Sequence, residues 1–202
     1  GTLLSATLAH MAKKDDRRIL IGTFNPFPED FKYAGDLLVF SDNEGIKFLE
    51  GEMDQHGGVL SAQTMANTFN ALRSNDLVWN YVVDNYYIGK HPPPFALLYW
   101  NADQTRMPKA LHLFYLRQFY RDNALTEGKM TLLGEKLSLK DVTIPIFLQS
   151  SKEDHIAPAK SVYRSALSYG GPVEYIVAGS GHIAGVINHP SASKYQYWTN
   201  PN

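Results

Sequence analysis

The chain has 202 residues, a formal net charge of −1, an apolar fraction of 44% and a charged fraction of 19%. This balance is typical of a globular domain with its own hydrophobic core and excludes a disordered chain. No apolar run approaches the ~20 residues that a membrane-spanning helix needs, and no Lys/Arg cluster is large enough to indicate nucleic-acid binding. The sequence contains no cysteine, which excludes disulfides and thiolate metal ligands.

Predicted helices and strands alternate at both ends of the chain. Residues 1–14 carry apolar residues at helical spacing, and residues 19–24 form a short β-branched apolar run that predicts a buried strand. Two further apolar strands are predicted over residues 142–148 and 173–178, with a helix over about 159–169 between them. This alternation predicts the α/β class with a parallel sheet.

About 100 residues separate the first predicted strand from the second, whereas a crossover connection needs only a dozen or so. Most of this interval is predicted to be helical. One helix follows a capping box at residues 41–44, another starts near Ser61, and a third spans about 107–120. We therefore predict one partial catalytic domain over residues 1–202, with a cap inserted at about residues 25–125 over the carboxyl edge of the sheet.

The predicted cap is rich in aromatic residues. We expect most of them to form its core, and the alternative is that they line an acyl or polymer channel. The residues concerned are Trp79, Tyr81, Tyr86, Tyr87, Tyr99 and Trp100.

Polar loops follow the last two predicted strands. The first, residues 151–158, contains Asp154, and the second, residues 179–185, contains His182. Because the carboxyl ends of neighbouring parallel strands share one edge, Asp154 and His182 are expected to come within hydrogen-bonding distance. An acid followed by a histidine is the order in the α/β-hydrolase triad, after the nucleophile. We predict an α/β-hydrolase-like parallel sheet in the C-terminal part of the chain, with an inserted, mostly helical cap.

The residue types indicate roles in acid–base catalysis. His182 lies among small residues and suits a general base near neutral pH. Asp154 is the preferred partner, and Glu153 on the same loop is the alternative acid. His155 is expected to pack or to hydrogen-bond within its loop, and the alternative is a supporting catalytic role.

The nucleophile is the missing member of this set. Ser5 and Ser180 both lack the G-x-S-x-G frame of a serine nucleophile. The chain starts without Met inside a predicted helix, so we expect a segment of a longer protein whose nucleophile lies upstream. The histidines and acids show no metal-ligand spacing, and no G-x-G-x-x-G or P-loop motif occurs, so we expect neither a metal nor a bound cofactor.

Several sequence blocks resemble the catalytic domain of class I poly(3-hydroxyalkanoate) synthases, the bacterial polyester polymerases. The most specific are WNAD and GHIAGV. The matching blocks are GTLLS (1–5), NDLVWNY (75–81), LYWNAD (98–103), TRMP (105–108), EDHIAP (153–158), GSGHIAGV (179–186) and KYQYW (194–198).

This resemblance implies an α/β-hydrolase fold with a cysteine nucleophile in a G-x-C-x-G-G box. Gly1 would be the last glycine of that box, so the cysteine would lie three residues before Gly1. Asp154 and His182 would complete the triad. The resemblance leaves two roles open for Asp154: orienting the imidazole, or assisting deprotonation of the substrate hydroxyl.

The resemblance also implies a substrate and partners. The enzyme would polymerise 3-hydroxyacyl-CoA, with short-chain substrates such as 3-hydroxybutyryl-CoA, and release CoA without a cofactor. It would form a homodimer through the cap and act on the growing polyester chain at cytoplasmic polyhydroxyalkanoate granules. The 202-residue chain alone is expected to be inactive.

Two other functions fit the same residues. The first is a serine-type α/β-hydrolase, an esterase or depolymerase, with a G-x-S-x-G motif upstream of Gly1. The second is a catalytically dead fragment that keeps only a granule-associated or dimerising surface.

Overall fold

The computed structural model describes residues 1–16, 18–24, 28–92, 103 and 105–199. The chain forms two compact units, one built from Gly1–Asp42 and Phe114–Asn202 and the other from Asn43–Leu113. Of the matching block at 98–103, only Asp103 is among the described residues; Tyr99 and Trp100 lie outside them.

Regular elements are short, and helices and strands alternate. The helices are α1 (Thr2–Lys13), α2 (Asn43–Gln55), α3 (Ala62–Leu72), α4 (Lys109–Tyr115) and α5 (Ala159–Ala166). The strands are β1 (Gly22–Phe24), β2 (Val59–Leu60), β3 (Met107–Pro108), β4 (Thr131–Leu132), β5 (Glu135–Lys136), β6 (Ile146–Ser151), β7 (Val173–Ala178) and β8 (Tyr197–Thr199). Tighter 3₁₀ turns span Phe31–Tyr33, Gly35–Phe40, Leu139–Asp141 and Pro190–Ala192, and wider π-helical turns span Asn75–Trp79, Val82–Tyr87 and Leu116–Arg121. None of the described helices combines the length and the apolar character needed to cross a membrane.

The first unit is built on a four-stranded sheet in the order β1–β6–β7–β8. Strands β1, β6 and β7 are parallel, and β6 pairs with β7 over six residues, from Ile146 opposite Val173 to Ser151 opposite Ala178. Helix α5 connects β6 to β7. The predicted α/β class with a parallel sheet is therefore confirmed.

Strand β8 pairs with β7 in the antiparallel direction, with Ala178 opposite Tyr197. The sequence does not predict this strand. Its three residues are too few to show an alternating pattern, and the side chains of Tyr197 and Trp198 are exposed.

The first strand is shorter than predicted. It begins at Gly22 rather than at residue 19, and Leu20 and Ile21 are 75% and 63% exposed, so the predicted burial of this part is wrong. The reason lies in the partner strand. Pro145 accepts a hydrogen bond from Gly22 N–H, but it has no N–H to continue the ladder toward Leu20. Strand β6 begins directly after this proline, at Ile146 rather than at the predicted residue 142.

The core of the first unit lies against this sheet. Helix α1 contributes Ala6, Leu8 and Ala9, and the strands contribute Phe24 and Leu148. Further buried members of this cluster are Phe31, Phe119, Ala124, Leu125, Met130, Leu137, Leu139, Val142, Ile146, Ala157, Val162 and Tyr169.

In the second unit, α2 buries Ile46, Leu49 and Met53 on one face. The predicted capping box at residues 41–44 is wrong. Helix α2 begins at Asn43, and both the N–H and the Oγ of Ser41 donate to the Leu38 carbonyl, which closes the preceding 3₁₀ turn. The prediction near Ser61 is confirmed: its Oγ accepts a hydrogen bond from Thr64 N–H at 3.0 Å and caps α3.

The aromatic residues of 75–88 are not core residues. Trp79 and Tyr81 are exposed, and Tyr86 and Tyr87 are 85% and 81% exposed, so the expectation that they form the cap core is wrong for these four. Apolar residues follow one another around the whole π-helical segment, and a single packed face cannot bury all of them.

A buried carboxyl lies beside the first turn of α1. The Glu29 side chain has no accessible surface, and its Oε1 accepts a hydrogen bond from Ser5 Oγ at 2.8 Å, while Oε2 has no partner among the described residues. The Tyr169 hydroxyl contacts the same Ser5 Oγ at 2.9 Å. Burial raises the pKa of Glu29 above its usual value of 4.5, because removing the carboxylate from water disfavours its charged form.

We expect the free energy of unfolding to fall less steeply with rising pH in the Glu29→Gln variant than in wild type. Above about pH 4.5 the unfolded chain ionises Glu29, whereas the folded chain retains the proton up to the raised pKa. The folded state then binds more protons than the unfolded state, so Glu29 costs up to about 1.4 kcal/mol of unfolding free energy per pH unit in this window. Urea unfolding between pH 5 and pH 8 measures this slope. The control is Glu174→Gln at an exposed position of β7, which should keep the wild-type slope. Equal slopes for wild type and Glu29→Gln would contradict the raised pKa of Glu29.

Candidate active site

Two loops leave the carboxyl edge of the sheet together. Beyond the last pair of β6 and β7, Lys152 N–H donates to Ala178 O at 2.8 Å and Glu153 N–H donates to Ser180 O at 2.9 Å. These bonds prolong the parallel ladder into the polar segments that carry Asp154 and His182.

Asp154 is buried, and its side chain has no accessible surface. Its Oδ1 accepts hydrogen bonds from the backbone N–H groups of Ile156 at 2.8 Å and Ala157 at 2.9 Å. These bonds fold the loop back around the carboxylate as an Asx turn. The second oxygen, Oδ2, remains available to a partner on the neighbouring loop.

His182 is that partner: its Nδ1 lies 2.8 Å from Asp154 Oδ2. An ionised carboxylate only accepts hydrogen bonds, so Nδ1 carries the proton and Nε2 of the neutral ring keeps its lone pair. The His182 side chain is 31% exposed, and Nε2 has no hydrogen-bond partner among the described residues. The arrangement can accept a proton at Nε2 while the buried carboxylate stabilises the resulting imidazolium.

Helix α5 is fixed next to the Asp154 loop. The hydroxyl of Tyr175 on β7 donates to Ala159 O at 3.0 Å, and Ser150 Oγ contacts the same hydroxyl at 2.6 Å. A phenol has one proton, so Ser150 is the donor in the second contact. Burial of Tyr175 raises the pKa of its hydroxyl, so this donor stays protonated at neutral pH.

The segment that follows β1 is also tied to α5. The buried Asp30 carboxylate accepts a hydrogen bond from Arg164 Nε at 2.8 Å, and Ser161 Oγ donates to the Asp30 carbonyl. At the start of α1, Thr2 Oγ1 donates to Pro28 O at 2.8 Å. The first turn of α1 therefore lies beside the segment that leaves the carboxyl end of β1.

The other candidates from the sequence lie in the same region with different surroundings. Glu153 is exposed, and it contributes its backbone N–H to the ladder. His155 is half-buried next to Asp154. Ser180 is buried, and its carbonyl accepts from Glu153 N–H, whereas the Ser5 hydroxyl is buried against Glu29 and Tyr169.

Two polar residues of β6 that the sequence did not single out contact the His182 loop. Gln149 Nε2 donates to the Gly185 carbonyl, and the buried Ser151 lies against Gly185. The available signal was the polar residues that interrupt an otherwise apolar strand. Among the described residues, no group of three or more His, Asp or Glu is placed to hold a metal ion.

We expect Asp154→Asn to change the tautomer of His182. Asn keeps an oxygen for the amides of Ile156 and Ala157 but can present an NH₂ donor to Nδ1, which favours the proton on Nε2. Long-range ¹H–¹⁵N spectra of the imidazole distinguish the two tautomers. The control is Glu153→Gln, which removes the neighbouring exposed carboxylate; a tautomer change in this control instead would contradict the assignment.

Comparison with known proteins identifies relatives along nearly the whole chain, although no protein-family model matches it. The chain is 53% identical over 199 residues to the poly(3-hydroxyalkanoate) polymerase subunit PhaC of Rhizobium meliloti, covering 98% of this chain and 32% of the relative. It is 52% identical over 200 residues to the poly(3-hydroxyalkanoate) polymerase of Methylorubrum extorquens, covering 98% and 33%. It is 39% identical over 205 residues to the subunit PhaC of Cupriavidus necator, covering 99% and 35%. The chain thus spans about a third of the length of these relatives, and over that length it is similar to poly(3-hydroxyalkanoate) polymerases.

Proposed function

We propose that this chain supplies the acid–base pair of a polyhydroxyalkanoate polymerase. Such an enzyme transfers 3-hydroxyacyl groups from CoA to a growing polyester chain. The observation that carries the proposal is the buried Asp154 carboxylate hydrogen-bonded to His182 Nδ1, with Nε2 free of any partner among the described residues. The names of the relatives support the polymer product.

The proposed nucleophile is a cysteine three residues upstream of Gly1, the position that the resemblance to a G-x-C-x-G-G box implies. His182 Nε2 takes the thiol proton, and the thiolate attacks the thioester carbonyl carbon of the acyl-CoA. The C–S bond to CoA breaks, and the departing sulfur receives the proton from His182. The hydroxyl of the next unit then gives its proton to His182 Nε2 and attacks the acyl carbon of the acyl-cysteine. The ester bond forms as the C–S bond to the cysteine breaks, and the departing cysteine sulfur receives this proton from His182.

Asp154 orients the imidazole in this scheme. Its three hydrogen bonds fix the carboxylate, so the proton on Nδ1 holds the ring with Nε2 directed away from the acid. The other role, assistance in deprotonating the substrate hydroxyl, requires that hydroxyl to reach the same buried carboxylate. The complete burial of the Asp154 side chain supports the orienting role.

The proposal extends to substrate and assembly. We take the substrate to be a short-chain 3-hydroxyacyl-CoA, such as 3-hydroxybutyryl-CoA, and the chemistry to need no metal or redox cofactor. The predicted cap at about residues 25–125 contains the second compact unit, Asn43–Leu113. The exposed aromatic side chains of residues 75–88 support a homodimer through this cap. We also propose that the enzyme acts at cytoplasmic polymer granules.

We expect the chain to function when it replaces the 199 aligned residues of the Rhizobium meliloti polymerase. This chimera should release CoA from 3-hydroxybutyryl-CoA, and His182→Gln should lower the rate by about 100-fold or more because proton transfer at the nucleophile is lost. The matched control is His189→Gln, which removes an exposed histidine seven positions along and should leave the rate unchanged.

Two further measurements identify the nucleophile. The isolated 202-residue chain should release no CoA, and iodoacetamide should inactivate the chimera. A folded chimera without activity, full activity of the His182→Gln variant, or CoA release by the isolated chain would each contradict the proposal. Inactivation by a serine-directed phosphonate but not by iodoacetamide would favour a serine hydrolase.

A further inference from the structure

The turn that carries His182 is fastened to the sheet at its far end. Gly185 N–H donates to Gly181 O at 3.1 Å, which closes a five-residue turn around His182. The Gly185 carbonyl in turn accepts a hydrogen bond from Gln149 Nε2 on β6. Only the NH₂ end of the Gln149 amide can donate to a carbonyl, so this contact sets the orientation of the side chain.

Ser151, two residues along β6, lies directly against the same glycine. It is fully buried, and its Oγ has no hydrogen-bond partner among the described residues. A Cβ added to Gly185 would lie 1.8 Å from Ser151 Oγ and 2.8 Å from Ser151 Cβ. Gly185 is not among the glycines with positive φ, so the position requires glycine for space rather than for backbone conformation.

Ser151 also contacts the other half of the candidate active site. Its carbonyl accepts a hydrogen bond from Asp154 N–H at 3.2 Å, in the turn that leads to the buried carboxylate. One residue at the end of β6 is thus in contact with the Asp154 loop through its backbone and with the His182 loop through its side chain. A buried hydroxyl without a partner is destabilising, so stability alone would favour alanine at this position.

We propose that Gln149 and Ser151 are positioning residues for His182. They act through Gly185. The amide of Gln149 hydrogen-bonds the turn to β6, and the side chain of Ser151 limits how closely the turn can approach this strand. The distance between His182 Nδ1 and Asp154 Oδ2 follows from these two contacts. The catalytic consequence rests on the proposed polymerase function, whereas the geometric consequence does not.

The first test follows the Nδ1 proton of His182 in the 202-residue chain by NMR. Gln149→Met preserves the length of the side chain but removes the donor, and we expect the exchange of this proton with solvent to accelerate by at least about 10-fold. The matched control is Gln63→Met in α3, which removes a glutamine donating to Asn67 on an exposed helix and should leave the exchange unchanged. Unchanged exchange in Gln149→Met would overturn the role of Gln149.

The second test exchanges the sizes of the two residues in contact. Gly185→Ala should abolish the protected Nδ1 proton, because the new methyl group overlaps Ser151. Gly185→Ala combined with Ser151→Gly removes both overlapping atoms and should restore it. Retention of the protected Nδ1 proton in Gly185→Ala would overturn the role of Ser151. So would the absence of this proton from a double variant whose Tm equals that of wild type.

The third test separates positioning from the proposed function. In the chimera, Gln149→Met should lower kcat by about 10-fold with KM unchanged. The Gln149 side chain positions the catalytic histidine and does not form the substrate-binding surface. An active chimera in which His182→Gln is inactive and Gln149→Met keeps its kcat would overturn the positioning role and leave the polymerase proposal standing. An inactive chimera would overturn the polymerase proposal, while the exchange measurements would still decide the geometry.

Discussion

Parallel strands β6 and β7 run side by side in register from Ile146 and Val173 to Ser151 and Ala178, so their last residues reach the sheet edge together. Two backbone hydrogen bonds extend the pairing beyond the strands and fix the position of the Asp154 loop relative to the His182 loop. Asp154 and His182, 28 residues apart in sequence, meet because they lie a fixed number of residues beyond paired positions. A slip of two residues, which keeps every side chain on its own face, would shift one loop by about 6.6 Å and separate the pair.

Two buried carboxyls in this unit show why burial alone does not define a catalytic acid. Glu29 has one oxygen without a partner among the described residues, and burial raises its pKa. Asp154 is enclosed to the same extent, yet both of its oxygens are hydrogen-bonded, to two backbone amides and to an imidazole. Burial therefore disfavours the charged form of Glu29, whereas the Asp154 carboxylate accepts hydrogen bonds at both of its oxygens.

The sequence predicts the parts of the site that depend on local pattern and chain order. The apolar run 173–178 becomes β7 because Pro172 and Gly179 bound it, and the loops containing Asp154 and His182 follow from the parallel arrangement. The rest depends on contacts between distant residues. The absence of an N–H on Pro145 shortens β1, a half-buried Gln149 has its partner 36 residues away, and the surroundings of Tyr86 and Tyr87 depend on how the second unit packs. Spacing along the chain does not identify the partners in these contacts.

We propose that Nε2 of His182 faces the sulfur of a cysteine nucleophile. A crystal structure of the chimeric polymerase tests it directly through the distance from Nε2 to the nearest cysteine Sγ. We expect a separation within about 3.5 Å, with the Asp154–His182 hydrogen bond intact. A nearest cysteine sulfur more than about 7 Å away, beyond the reach of one bridging water, or a serine Oγ at that position, would contradict it.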